Sequence, residues 1–244
     1  MSDTNLNERV RREAEHGNVI LEMNESNWGW NTPAGKIRWK RREEFLKQSS
    51  HQNGRTLEVG CGTGTFSKSL SEHYSNLTCI DISQPLLESA KSKNVSRVHF
   101  QIEDIHKTSF ENSTFDTIVG CSVLHHLNWS LALKEICRIL KPGGRILFSE
   151  PNLLNPQIYI QKNWLWLKLM MGDSPDEYAF TDMQITQSLI NTGFNNIFVM
   201  PYEFLHPHTP SYFISSIIKL ESLFEKTLIN KIAGSLKISA SKTK

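Results

Sequence analysis

An excess of charge of one sign is nearly missing from this chain of 244 residues: 27 Lys and Arg stand against 25 Asp and Glu, a formal net charge of +2. Charge alone therefore argues for neither a nucleic-acid nor a membrane partner. Cysteine is sparse. Cys61, Cys79, Cys121 and Cys137 form no CxxC pair, which argues against a zinc cluster or a disulfide framework and fits a reducing compartment. Long apolar runs are also lacking. No stretch reaches the roughly 18 apolar residues that span a bilayer, and the opening MSDTNLNERVRREAEHGN has no apolar core of a secretory signal. The expectation is a cytoplasmic protein that can still touch a membrane surface. Internal repeats, low-complexity tracts and interdomain linkers are absent as well.

What is present is a regular rhythm from 55 to 150. Strand-length apolar runs occur at 55–60, 76–82, 97–103, 115–121 and 144–149, with helix-like stretches at 65–74, 84–92 and 129–140. The connection from 97–103 to 115–121 reads mainly as loop. Alternating strands and helices imply βαβ units around a parallel sheet, and apolar rather than alternating strands imply cover on both faces. Residues 181–192 read as a helix, 195–204 as a strand, 211–230 as a long helix and 235–241 as a last strand. Residues 1–35 lack clear periodicity, with little apolar content before Trp28 and Trp30, and read as an arm or irregular lid. Residues 36–48 read as a helix with Ile37, Phe45 and Leu46 inward. The division expected is an N-terminal lid over 1–48 and one domain over 49–244, with cap insertions at about 151–180 and 205–230.

The sharpest motif is Leu57-Glu58-Val59-Gly60-Cys61-Gly62-Thr63-Gly64. A strand runs into three alternate glycines and then a helix. Glycine allows a tight turn and lets a ligand approach the backbone. The spacing is GxGxG rather than the GxGxxG of dinucleotide folds. A plain strand-to-helix turn is the simpler alternative. Asp81 ends the second strand, where an acid can accept from both hydroxyls of a ribose or merely cap the next helix. Asp104 follows the third strand, where a carboxylate can take an adenine amino group between Ile82 and Ile105.

LEVGCGTG, Asp81, Asp104, FDTIVGCSVLHHL at 115–127 and LKPGGRILFSE at 140–150 together resemble the successive motifs of class I S-adenosylmethionine-dependent methyltransferases. The likeness is closest to the small-molecule branch that includes ubiquinone and menaquinone biosynthesis enzymes. It is strong over 55–150, and 180–199 and GSLKISASK resemble later elements of the same family. The resemblance implies an α/β, Rossmann-like, doubly wound sheet of seven strands in the order 3-2-1-4-5-7-6, with strand 7 antiparallel and helical cap elements. It implies S-adenosyl-L-methionine as cofactor. Glu58, Gly60, Cys61, Gly62, Thr63 and Gly64 would surround its methionine part, Asp81 its ribose, and Ile82, Asp104 and Ile105 its adenine. The Cys121 backbone would approach the amino group, and Pro142, Gly143 and Gly144 would form the turn before strand five.

A sulfonium already carries a good leaving group, so an enzyme of this kind mainly aligns a nucleophile and excludes water. A base is needed only if the acceptor must lose a proton. His125 and His126, after strand four, are the candidates, with His125 preferred; either can instead simply pack or bond to backbone. Lys36, Arg38, Lys40, Arg41 and Arg42 read as a solvated helix face, with a phosphate contact or an arginine reaching the cofactor's carboxylate as alternatives. No metal site is expected. The acceptor pocket falls to 1–48, 151–180 and 205–230. The apolar segments at 157–171 and 211–230 are expected to pack on each other as a cap; alternatively they line a pocket for a greasy acceptor or rest on a membrane. The acceptor is expected to be a small molecule, and a lipophilic one if those segments line its pocket. An RNA or protein methyltransferase on the same core and a non-catalytic cofactor-binding partner or sensor protein are the other readings.

Overall fold

The structure is a computed structural model that describes residues 3–23 and 29–243. Trp28 lies outside the described residues. Seven strands form one sheet: β1 (Arg55–Val59), β2 (Asn76–Asp81), β3 (Val98–Ile102), β4 (Phe115–Cys121), β5 (Leu140–Pro151), β6 (Phe194–Tyr202) and β7 (Ser235–Lys242). Their order is β3-β2-β1-β4-β5-β7-β6. Strands β1 to β5 pair in parallel, and β7 runs antiparallel between β5 and β6. The order and the reversed strand match the sequence expectation.

The two faces follow from the strand period of two. Ile118, Ile146 and Phe148 point to one side, packing with Leu133 and Ile136 of α5 (Trp129–Ile139) and Ile185 and Leu189 of α8 (Asp182–Thr192). Val119 and Leu147 point to the other. They meet Phe45 and Leu46 of α2 (Pro33–Leu46), Leu70 of α3 (Ser67–His73) and Leu87 of α4 (Gln84–Ser92). Helix ends carry their usual signals. Thr32 caps α2 ahead of Pro33, while Thr181 and Gln184 form a capping box for α8, which stops at Gly193 with φ +94°. Strand β5 begins earlier than its apolar run. Leu140 already pairs with Phe115, and Gly143, at φ +76°, forms part of an irregularity within the strand.

Three expectations need correction. Residues 3–23 are not an irregular arm but a helix, α1 (Asp3–Met23). Its anchor is a set of hydrogen bonds rather than an apolar stripe, which is why no hydrophobic period announced it: buried Arg9 donates to the backbone carbonyls of His126 and Asp176 and to the Tyr178 hydroxyl. The segment 211–230 is broken. Helix α9 (Ser211–Phe224) ends, and a 3-10 turn over Leu228–Ile232 starts anew under a Thr227 cap. The segment 157–171 is likewise two helices, α6 (Pro156–Asn163) and α7 (Leu165–Met170). These do not form a mutual cap with α9: α6 packs chiefly with α7, whereas α9 packs on α2. Ile214 of α9 joins Ala34 and Leu205 in a small apolar cluster.

Candidate active site

A cavity of about 590 Å³ opens at the carboxyl ends of β1, β2, β4 and β5, where parallel-sheet ligands bind. Helix α1 roofs it with Val10, Glu13, His16 and Ile20, and Ile158, Gln161 and Lys162 of α6 wall its outer part. Of the predicted residues, Glu58, Gly60, Cys61, Gly62, Thr63, Asp81, Ile82, Asp104, Ile105, Cys121, His125 and His126 all line this one cavity.

Gly64 does not line it. At φ +77°, with an added Cβ only 3.1 Å from Ala90 Cβ, Gly64 lets the loop pack on α4. Gly60 has the tighter constraint. Its φ is +64°, and a Cβ there would stand 2.3 Å from Val123 Cγ2. Strand β1 thus leaves the sheet against the loop that follows β4, and only glycine fits that turn.

Asp81 and the loop are joined. Asp81 Oδ2 accepts from the Gly62 amide at 2.8 Å, and Oδ1 accepts from the Ser83 amide at 2.9 Å. Burial nevertheless raises its pKa. Glu58 lies beneath the loop, accepting from Ser67 Oγ at 2.5 Å and Cys79 Sγ at 3.0 Å. Burial, reinforced by Asp81, pushes Glu58 up to about 7. After β3, Asp104 Oδ1 accepts from the His106 amide at 2.9 Å and faces His106 Nδ1 at 2.6 Å. Burial opposes ionisation there, but the bonds from His106 outweigh it and keep Asp104 below its ordinary value. His106 Nε2 in turn accepts from the Asn128 amide, which leaves Nδ1 to carry the proton.

The helix face 36–42 is only half solvated, another correction. Lys36 and Lys40 are exposed, but Arg38, Arg41 and Arg42 turn inward around buried Glu203 at 3.3, 3.8 and 2.6 Å. Glu203 adopts φ +76°, a strained setting for a non-glycine residue that aims its carboxylate at the three cations. Arg41 also reaches Glu221 at 2.8 Å. Arg38 and Arg42 line the cavity, and the buried Arg38 Nε has no hydrogen-bond partner.

The histidines stand in a short 3-10 turn, Leu124–His126, with ring centroids 4.2 Å apart. Glu150, at the end of β5, organises that turn. Its Oε1 accepts the Val123 and Leu124 amides at 2.9 and 3.0 Å, and its Oε2 faces His125 Nδ1 at 2.9 Å. His126 Nδ1 faces Glu13 at 3.0 Å and Glu177 at 3.4 Å. Glu177 also holds Lys162 at 2.5 Å and stands 3.7 Å from His125 Nε2. Sequence reasoning missed Arg9, Glu13, His106, Glu150, Lys162 and Glu177. Only Glu150, in the quoted motif LKPGGRILFSE, had a visible signal.

Among the described residues, His125, His126 and Glu177 present ligand atoms within 4.8 Å of one another, a spacing a divalent ion can use. The Lys162 ammonium already faces Glu177 at 2.5 Å, and Glu13 and Glu177 both face His126 Nδ1.

Residues 57–148 match the family model described as a methyltransferase domain. The chain is 29% identical over 133 residues to a ubiquinone biosynthesis O-methyltransferase of Coxiella burnetii, covering 50% of this chain and 57% of that protein. It is 36% identical over 124 residues to a demethylmenaquinone methyltransferase of Leptospira interrogans, covering 47% and 50%. The chain thus contains a methyltransferase domain over residues 57–148. It spans about half the length of these curated relatives. The fold also matches phosphoethanolamine N-methyltransferase 2 of Haemonchus contortus, solved with S-adenosyl-L-methionine. The TM-score is 0.62 at 17% identity, over 84% of this chain and 53% of that one.

Proposed function

We propose that this methyltransferase binds S-adenosyl-L-methionine in the inner cavity and moves its methyl group to a small, amphiphilic acceptor in the outer part. The observation that carries the reading is continuity: Asp81, the Gly60–Gly62 loop, Arg38 and His125 all line one cavity. The residues suit that cofactor part by part. Asp81 offers a carboxylate preset by two amides to the ribose hydroxyls. Ile82 and Ile105 offer apolar faces to the adenine, and Asp104 an acceptor for its amino group. Glu58, Cys61, Thr63 and the Cys121 backbone complete the methionine end. The buried, unpartnered Nε of Arg38 suits a carboxylate, because a buried donor left unpaired is costly.

When bound, the cofactor supplies an electrophilic methyl on a sulfonium. The chain's task is then to orient the acceptor and exclude water. His125 is the general base of this reading. Its Nδ1 is engaged by Glu150, which leaves Nε2 to take a proton from the acceptor. The acceptor's reacting head meets polar groups such as Gln161 and His206, while its apolar part leaves along α6 and α7. The names of the sequence relatives, which concern quinone biosynthesis, support an acceptor of this kind.

A peripheral membrane contact is favoured by one observation. In α6 and α7 the two lysines are turned in, Lys162 to Glu177 and Asp173 and Lys168 to the Glu177 carbonyl. Tyr159, Trp164, Trp166 and Met170 face out, each more than half exposed. That is the reverse of a soluble helix surface. No helix among the described residues is long and apolar enough to cross a membrane. The four free cysteines support a cytoplasmic setting.

Calorimetry with S-adenosyl-L-methionine and its demethylated product tests the cofactor. Transfer of radiolabelled methyl into lipid, small polar, RNA and protein fractions of a cell extract tests the acceptor. No heat from either nucleoside ends the reading, and label confined to RNA or protein redirects it.

A further inference from the structure

The histidine pair is wired asymmetrically. Two rings 4.2 Å apart disfavour carrying two charges, so whatever surrounds them decides which one is protonated. Around His126 stand Glu13 from α1, Glu177 from the segment after α7, Asp81 from β2, and Lys162 from α6, which opposes a charge there; His16 faces Glu177, and Arg9 engages the His126 backbone carbonyl. Around His125 stand Glu150, His126, Lys162 and Glu177. Glu150 spends one oxygen on two amides and gives the other to His125 Nδ1. His126 Nδ1 points at two carboxylates, an arrangement that calls for a proton between them.

We propose that Glu177 is a positioning residue that, with Glu13, keeps the pair's single charge on His126 and so leaves His125 neutral with its Nε2 lone pair free. This rests on the proposed role of His125 as base and goes beyond it by assigning what sets the base's state. The titration tendencies agree with the geometry. Burial lowers His126, but Glu177 and Glu13 outweigh it and hold the ring at about 9. Burial first, and then the charge of His126, pull His125 below its ordinary value. Glu177 itself lies well below the usual carboxylate range, because His126, His125 and Lys162 overcome its burial.

The wiring also has a structural consequence. Glu13 comes from α1, and Glu177 from the segment that Ser174 ties back to Glu13. The base is therefore prepared only where roof and wall meet over the cavity. With α1 undocked, His126 loses one of its two carboxylates, and the charge has less reason to stay on it.

Imidazole nitrogen shifts in isotope-labelled full-length protein, titrated from pH 5 to 10, test this without needing the acceptor. H125N and H126N assign the signals. The expected pattern is a charged His126 and a neutral, Nδ1-protonated His125 at pH 7.5. E177Q should lower the His126 midpoint by about one pH unit or more, roughly a tenfold change in proton affinity. E177D should restore part of it, and thermal unfolding should show that both variants are folded. A neutral His126 in the wild type, an E177Q midpoint unchanged, or one equivalent of Zn²⁺ bound by both rings in the purified protein would each overturn the proposal. If the pattern holds but methyl transfer survives in H125N, the base assignment fails while the wiring stands.

Discussion

Asp81 holds Gly62: the carboxylate that ends β2 accepts the amide at the middle of the loop that follows β1, at 2.8 Å. Two neighbouring strands are thereby tied at the rim of the cavity. The carboxylate proposed for the ribose and the glycine loop are a single preorganised unit rather than two separate features.

Asp81→Ala should remove both the ligand contact and the acceptor for two amides. We expect cofactor affinity to fall at least tenfold, about 1.4 kcal/mol, by calorimetry. Asp81→Asn should fall between the two, because it keeps one oxygen but presents a donor to an amide.

Gly60→Ala should be worse than an ordinary glycine replacement. It meets an unfavourable positive φ and a Val123 methyl at 2.3 Å together. A stability loss of about 2 kcal/mol or more is expected in urea unfolding. Val123→Ala added to it should recover part of that loss, the steric part, and leave the backbone part.

Glu58 should impose a pH slope on stability. Its folded pKa, about 7, lies above the value of an unfolded glutamate, so the native state binds the extra proton between roughly pH 4.5 and 7. Its stabilising contribution is full below that window and is lost as the pH rises through it, on the order of 3 kcal/mol in all. Glu58→Gln should flatten this slope, so that the variant gains on the wild type between pH 5 and 8 in denaturant titrations.

The arginines around Glu203 should separate into binding and folding roles. Arg38→Ala should weaken cofactor binding about tenfold or more, since its Nε faces no protein partner, and should cost less stability than Arg42→Ala because its pair with Glu203 is longer, 3.3 Å. Arg42→Ala removes the shortest of three ion pairs to buried Glu203, at 2.6 Å against 3.3 and 3.8 Å, and should cost roughly 3 kcal/mol of stability.

Replacing Trp164 and Trp166 with serine should leave thermal stability within about 0.5 kcal/mol, because both side chains are more than half exposed. If α7 rests on lipid, the same change should abolish flotation with anionic liposomes. Wild-type protein that fails to float would remove the membrane reading.

Much of the catalytic half was legible without coordinates because its signals are local. Three alternate glycines after an apolar strand, an acid at the next strand's end and the periods of two and 3.6 each sit within a few residues. Helix α4 and strand β4 fall on their expected bounds. The likeness to a family supplied what local pattern cannot, the order of the strands. Helix α1 was missed because periodicity detects apolar burial, and its anchor is one arginine reaching carbonyls more than a hundred residues away. The inward turn of Arg38, Arg41 and Arg42 was missed for the same reason, since a run of cations on a helix is usually solvated.

By itself, then, the amino-acid order determined the seven-stranded core, the glycine loop and the pair of histidines, all carried by short-range geometry that recurs wherever such segments fold. Only the tertiary structure decided what surrounds that pair. Glu13, Glu150, Lys162 and Glu177 come from four separate segments, and nothing in their local sequence fixes their distances to His125 and His126. Charge placement of this kind depends on burial and separation in space, and the chain acquires both only when α1 and the segment after α7 close on the same cavity.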